Sequence, residues 1–413
     1  MSQRVGAVVI GAYANGLETV RSLGIEGIPT AVIVTRSTDI AQYSRWAVEG
    51  VSLPDFHRKP SSLIDLLDQR CSDWKGWVLF PTNDDSLVQI ARNSEKLSRH
   101  FRLISPPWEI TRPLVRKDLI YQTAQELGID LPVCYGSVDS RSPCDEIEYP
   151  VIVKPLEGHR FYEKFGSKLF FARGKDELRL ALGEVERSQL DAHVYDFVPG
   201  PDSHFHNYSV YMDRNGEPVA EFSMKKIRKS PPLFGVCRVA ETGSKAPLRE
   251  PTIEMLRRIG WHGMANAEYK LDPRDGRYRL MEINGRCFLM QGLARRGGVN
   301  YPLLAWKEAV SMQQIGAQPN DWQGVWIHLH ADLIYSAAAL PTERLGARGF
   351  FSPYSRPKTF AVWNSRDPKP FAMQWWKSAL ILAKAFTSPK TRSWLRSRMQ
   401  GIGSSPPSPK PKS

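Results

Sequence analysis

The chain has 413 residues, 42% of them hydrophobic and 24% charged, with a formal net charge of +13. This composition excludes a disordered chain, a collagen-like fibre and a small disulfide scaffold, and the length predicts about two to four domains. Residues 351–413 hold twelve Lys/Arg against one Asp, so the first 350 residues carry only about +2. A nearly neutral body excludes whole-chain nucleic-acid binding and confines any polyanion contact to the tail. The five cysteines, at 71, 134, 144, 237 and 287, form no C-x-x-C pair. That odd, scattered set predicts a reducing, cytoplasmic setting. The apolar run Val5 to Ile10 reads as a buried strand rather than a signal peptide, and no stretch reaches the roughly 18–20 apolar residues of a spanning helix.

Residues 4–10 are a predicted strand, and Gly11-Ala-Tyr-Ala-Asn-Gly16 leads into a helix through Leu17, Val20 and Leu23 that stops at Gly24. Thr30–Thr35 and Trp77–Phe80 are further strands, with helices at Ser61–Gln69 and Ser86–Leu97. The alternation predicts an open parallel sheet covered by helices and ending near Pro106-Pro107. Gly11 and Gly16 do not have G-x-G-x-x-G spacing, and Thr35-Arg36 stands where a dinucleotide-binding strand would end in an acid. A nicotinamide-dependent oxidoreductase is therefore only a minor alternative.

Arg116–Leu127 is a helix with the apolar stripe Leu119, Ile120, Ala124 and Leu127, stopped by Gly128. Beyond it, Val151–Val153, Ala192–Val198, Tyr208–Asp213, Pro218–Ser223 and Gly263–Asn284 predict a mainly antiparallel sheet, with helices at Asp176–Ser188 and Thr252–Ile259. His204-x-His206 and His328-x-His330 read as half-buried strand histidines rather than metal ligands.

The most informative segment is Met264-Ala-Asn-Ala-Glu268-Tyr-Lys270-Leu-Asp-Pro-Arg-Asp-Gly276-Arg-Tyr-Arg-Leu-Met-Glu282-Ile-Asn284-Gly-Arg286. Pro273-Arg-Asp-Gly276 is turn chemistry. If Asp272 and Tyr278 close the hairpin, Glu268 faces Glu282 with Cβ atoms roughly 5 Å apart, and Asn284 shares their face. The other face then takes Ala267, Tyr269, Leu271, Met281 and Ile283 as core. Opposed like charges need compensation. A hard divalent cation supplies it, since it takes carboxylate and amide oxygens. The competing reading pairs one glutamate with Lys270 or an arginine.

Lys154 ends the strand Tyr149-Pro-Val-Ile-Val-Lys154, where a buried ammonium needs a counter-charge, either a phosphate or a neighbouring carboxylate. Glu157 to Lys168 is polar and Gly-punctuated, the composition of a phosphate-covering lid, although it is no Walker motif. Val194 to Asp202 is a strand running into a turn, and Lys225, Lys226, Arg228 and Lys229 precede a Pro-Pro loop.

In their serial order, VRKDLIYQTAQELGIDLP, YPVIVKP, VYDFVPGPD, FSMKKIRKSPP and AEYKLDPRDGRYRLMEINGR resemble the ATP-grasp superfamily, and within it the carboxylate–amine ligase branch. The likeness covers about residues 4–310. It implies a fold of class α/β and α+β: a Rossmann-like pre-grasp domain over 1–108, an ATP-grasp domain over 109–310 and a C-terminal extension over 311–370. It implies ATP and Mg2+ as cofactors, with Mn2+ an alternative, and a small-molecule carboxylate and an amine or thiol as substrates. Residue by residue, it places Lys117 and Lys154 on ATP phosphates, Asp196, Phe197 and Val198 at the adenine hinge, and Asp202 on the ribose. Glu268, Glu282 and Asn284 match the metal ligands. Lys226 matches the γ-phosphate lysine, with Lys225 or Arg228 as alternatives, and Arg286 matches the arginine near an acyl phosphate.

Residues 371–413 form a basic, amphipathic tail with a low-complexity end from Gly401 to Ser413. Trp375, Trp376 and the cations Lys390 to Arg398 suit a helix lying on an anionic membrane; the competing reading packs the helix on the body. A non-catalytic membrane- or nucleic-acid-associated scaffold is the alternative function that this tail would serve.

Overall fold

The computed structural model describes residues 5–137, 146–156, 161, 164–165, 167, 169–311, 320–339 and 346–387. The predicted lid, Glu157 to Lys168, falls mostly outside the described residues, as do Cys144 and the cations Lys390 to Arg398.

The chain opens on a five-stranded parallel sheet built from β1 (Ala7–Ile10), β2 (Thr30–Val34), β3 (Ala47–Ser52), β4 (Val78–Pro81) and β5 (Arg102–Leu103), in the order β3-β2-β1-β4-β5. β1 is wholly apolar because both sheet faces are covered. The edge strand β3 escaped prediction because it alternates half-buried and exposed residues around a glycine. Helices α1 (Ala14–Gly24), α2 (Ser62–Gln69), α3 (Asp84–Arg92) and α4 (Ser94–Leu97) complete this unit. The single helix expected over Ser86–Leu97 is two. Asn83 caps α3 through the Ser86 amide at 2.9 Å, and Asn93 leaves helical geometry between the two.

After α5 (Trp108–Val115) and α6 (Lys117–Glu126), a four-stranded antiparallel sheet combines β6 (Cys134–Gly136), β7 (Val151–Pro155), β8 (Phe170–Ala172) and β9 (Ala192–Asp196) in the order β6-β9-β7-β8, backed by α7 (Lys175–Arg187). The third sheet contains β10 (Phe205–Met212), β11 (Pro218–Ser230), β12 (Val236–Thr242), β13 (Gly263–Leu271), β14 (Tyr278–Asn284), β15 (Val325–Ile327) and β16 (Lys358–Phe360). Its order is β14-β13-β10-β11-β12-β15-β16, antiparallel throughout except for β15 and β16. Helices α8 (Ala246–Arg258), α9 (Gln291–Arg296), α10 (Tyr301–Ser311), α11 (Leu329–Ala339), α12 (Ala347–Phe351) and α13 (Lys369–Thr387) follow the order of the chain around it. The fold is thus mixed α/β and α+β, and the segment after residue 311 adds two strands to an existing sheet.

A buried ion pair ties that segment to the first sheet's helices. Arg21 in α1 and Asp367 are each 1% exposed and meet at 3.0 Å. Asp367 also accepts from Ser44 Oγ (2.8 Å) and the Arg45 amide (2.9 Å), while Arg21 donates to the Val362 carbonyl (2.8 Å). Removing one member of a buried pair strands the other charge. Asp367→Ala is expected to lower the unfolding free energy by about 3 kcal/mol in urea titration, far more than loss of a surface pair.

Candidate active site

The third sheet aligns two carboxylates. Glu268 faces Glu282, Ala267 faces Ile283 and Asn266 faces Asn284, as the alternation predicted. Towards the turn the register differs from expectation: Leu271 pairs with Tyr278, Lys270 with Arg279 and Tyr269 with Leu280. The closing pair is therefore not Asp272 with Tyr278. Met281 is the extra residue of a bulge, and its carbonyl accepts the Tyr121 hydroxyl of α6 at 3.0 Å. One inserted residue reverses the sides. So Leu280, not Met281, joins Ala265, Ala267, Tyr269 and Ile283 in the core, and Leu271 is only half-buried.

The carboxylates sit among lysines from three strands and a helix. Lys226 of β11 forms an ion pair with Glu268, and the Lys229 ammonium lies 3.7 Å from the same carboxylate. Lys117, at the start of α6, is 3.5 Å from Glu282, which also accepts from Asn284 Nδ2 at 3.2 Å. Lys154 ends β7 over the Tyr195 ring at 5.5 Å. Lys270, 1% exposed, donates to the Val198 carbonyl at 2.6 Å and lies over the rings of Phe197 and Phe205. The described partners of Glu268 are thus Lys226 and Lys229 rather than Lys270.

Two further bulges in β11 decide which cations face the carboxylates. The ladder slips around Arg228, and its guanidinium turns to Asp332 of α11 (2.7 Å) and to the carbonyls of Gly349 and Phe350 (2.7 Å each). Arg228, expected as an alternative beside Lys226, is therefore not brought to Glu268; Lys229 takes that place. Lys225 pairs with His206 across β10. The histidines bond locally: His204 to the Leu271 carbonyl (3.0 Å), His328 to the Tyr13 hydroxyl (2.9 Å) and His330 to Ser378 Oγ (2.8 Å).

The remaining predicted residues each have protein partners. Asp196 accepts from the Val133 amide (3.1 Å) and Arg274 (2.7 Å), and the Phe197 amide donates to the Pro150 carbonyl (3.1 Å). Asp202 holds the β11 loop, accepting from the amides of Lys229 (2.6 Å) and Leu233 (2.7 Å). Arg286 spans two bodies, donating to Asp84 at the head of α3 (2.6 Å) and to Asn284 Oδ1 (2.9 Å). A pocket lined by Asp84, Leu114, Lys117, Glu282 and Asn284 opens at that bridge.

Electrostatics mark the cleft as short of negative charge. Burial pushes the Lys154 ammonium down to about 7, reinforced by Lys117. Burial and then Lys226 bring Lys229 to about 8, and burial and then Lys229 bring Lys270 to about 7. Lys226 moves upward instead: burial, the largest single influence, opposes the shift, but Glu268 together with Cys237 and Glu282 overcomes it. Glu268 stays below the usual carboxylate range, since Lys226 and Lys229 overcome its burial. Five lysines share this field with Glu268 and Glu282, and Asp202 and Asp272 also act on Lys229 and Lys270; a polyanion would complete the balance. Asn207, directly opposite Glu268 on β10 and 1% exposed, has both amide atoms buried without a protein partner. Two carboxylates, the Asn284 amide oxygen and this orphaned amide form an oxygen-rich set that fits a hard divalent cation with a phosphate. Sequence reasoning gives Lys229 no site role, weighs Lys270 only as a glutamate's partner and does not single out Asn207. Asn207 became identifiable only once β10 was known to lie beside β13.

Residues 240–311 match the family model for the carbamoyl-phosphate synthase L chain, ATP binding domain. The chain is 25% identical over 260 residues to a D-aspartate ligase of Enterococcus faecium, a match covering 57% of this chain and 60% of that protein. It is 25% identical over 331 residues to a carbamoyl phosphate synthase large chain of Methanothermobacter thermautotrophicus, covering 74% of this chain and 30% of that one. The structure of N5-carboxyaminoimidazole synthetase from Staphylococcus aureus superposes with a TM-score of 0.62 at 14% identity, over 81% of this chain and 86% of that one. The chain has an ATP-grasp fold. Its relatives by sequence lie in the carboxylate–amine ligase branch, and it spans less than two thirds of their length.

The electrostatics give a test that needs no ligand. A lysine with a folded-state pKa near 7 and an ordinary unfolded one binds fewer protons folded than unfolded across that interval, so stability rises with pH there. Lys270→Met should remove this term. The pH slope of unfolding free energy between pH 7 and 9 is expected to fall below that of the unmodified protein by up to about 1.4 kcal/mol per unit.

Proposed function

We propose that this chain is an ATP-dependent carboxylate–amine ligase, working through an acyl phosphate and releasing ADP and phosphate. The observation that carries the reading is the lysine excess around Glu268 and Glu282, which a triphosphate would balance. The adenine would lie between the four-stranded and seven-stranded sheets, against the backbone of Asp196 to Val198, with Asp202 beside the ribose. Lys117 and Lys154 would reach phosphate oxygens from one side, and Lys226 and Lys229 from the other. Glu268, Glu282 and Asn284 would hold Mg2+, or Mn2+ in its place; such an ion supplies charge neutralisation at the phosphates.

The acceptor side lies where strand order reverses in the first sheet, at the carboxyl ends of β1 and β4. Gly11 there has φ +95°, and a Cβ on it would come within 2.4 Å of Thr82 Oγ1, so the tight turn after β1 requires glycine. Arg286 bridges this region to Asn284 and would fork onto the acyl phosphate. The carboxylate oxygen attacks the γ-phosphorus, the β–γ bridging bond breaks, and an amine then displaces phosphate from the acyl carbon. No protein nucleophile is needed; these residues position the reactants and balance charge.

The oxidoreductase alternative loses ground at β2. Asp39 spends its carboxylate on the amides of Thr35 (2.9 Å) and Arg36 (3.0 Å) instead of offering it to a ribose.

ADP release, screened over amino acids, amines and peptide or sugar acids, tests the reading. At least one carboxylate–amine pair should stimulate release, and Glu282→Gln should cut the rate by about 10²–10³-fold with the circular dichroism unchanged. Full turnover in that variant, or no stimulation by any pair despite intact ATP binding, would overturn it.

A further inference from the structure

The C-terminal helix α13 packs in the reverse of the usual sense. Between residues 371 and 383 its polar side chains face the body. Gln374 is buried, the Lys377 ammonium donates to the carbonyls of Ser37 and Asp39 at 2.7 Å each, and Ser378 bonds His330. Its solvent side is apolar. Between residues 371 and 383 the exposed residues are Ala372, Trp375, Trp376, Ala379, Leu380, Leu382 and Ala383. All but Leu382 follow the spacing of a single helical face. Trp376 is 59% exposed, Leu382 52% and Leu380 42%.

The neighbouring helix α11 extends this face. It exposes Leu333 and Ile334, and its His330 ring packs edge-on against Trp375 at 4.7 Å. A contiguous apolar surface of this kind marks a contact site. Its chemistry specifies the occupant. From Pro368 to Ser413 the sequence carries nine Lys/Arg and no Asp or Glu, with a further tryptophan at Trp394. An apolar face with two tryptophans, continuous with an acid-free basic segment, matches a surface that is oily within and negative at its rim. No helix among the described residues is long and apolar enough to cross a membrane, so this one would lie in the plane of the interface.

We propose that the outer face of α13 docks on an anionic lipid surface, with Trp375, Trp376 and Leu380 entering the headgroup boundary and the net positive charge of the sequence that follows adding electrostatic attraction. The proposal does not depend on the ligase reading.

Flotation of the full chain with vesicles tests it. Binding is expected to phosphatidylcholine vesicles containing phosphatidylglycerol, weakening with salt, and not to phosphatidylcholine alone. The double variant Trp376→Glu, Leu380→Glu alters only exposed side chains and should bind at least about tenfold more weakly at an unchanged unfolding midpoint. In the unmodified protein, lipids brominated near the headgroup should quench tryptophan fluorescence. Equal vesicle binding by the double variant, no vesicle binding at all, absence of quenching, or vesicle-independent self-association that the double variant abolishes would each overturn the proposal, the last by making a second copy the occupant.

Discussion

An imbalance of charge governs the centre of this molecule. Lys117, Lys154, Lys226, Lys229 and Lys270 share a field with Glu268 and Glu282, and three of those ammonium groups sit well below their ordinary pKa because burial and one another disfavour the charge. A protein does not keep unsatisfied cations in a cleft without cost, since desolvating an ammonium is unfavourable unless an anion arrives. Under the proposed function a ligand of several negative charges would offset that cost, and the facing carboxylates would hold the cation that travels with it.

The architecture gathers these groups from distant parts of the chain. Lys117 comes from the head of α6, Lys154 from the end of β7 in the four-stranded sheet, and Lys226, Lys229, Glu268 and Glu282 from the seven-stranded sheet. Three bulges do the fine placement. The one at Met281 lets a core-facing Leu280 and a cleft-facing Glu282 coexist on β14, and α6 docks on its carbonyl through Tyr121. The two around Arg228 send that guanidinium to Asp332 and bring Lys229 to Glu268. Arg286 then couples the end of β14, through Asn284, to α3 through Asp84.

Much of this could be read in the sequence because alternation and turn chemistry are local. The Pro273–Gly276 turn and the period of two were enough to oppose Glu268 and Glu282, and the apolar β1 and β2 declared a parallel sheet. What escaped was non-local or depended on a single inserted residue. Nothing in Lys226-Ile-Arg228-Lys229 announces that the ladder slips twice, so the wrong cation was favoured as the alternative to Lys226. Asn207 carried no motif. β15 and β16 are three-residue strands whose pairing comes from tertiary contact rather than pattern. The tail's amphipathy was visible, yet only the packing shows that its polar side faces inward.

The most direct measurement is a crystal structure of the full chain soaked with Mg2+ and a non-hydrolysable ATP analogue. The account predicts phosphate oxygens within about 3 Å of Lys117 and Lys154, and the cation on Glu268 and Glu282. A saturating soak that leaves the cleft empty, or a nucleotide bound elsewhere with Glu268 still paired to Lys226, would contradict it.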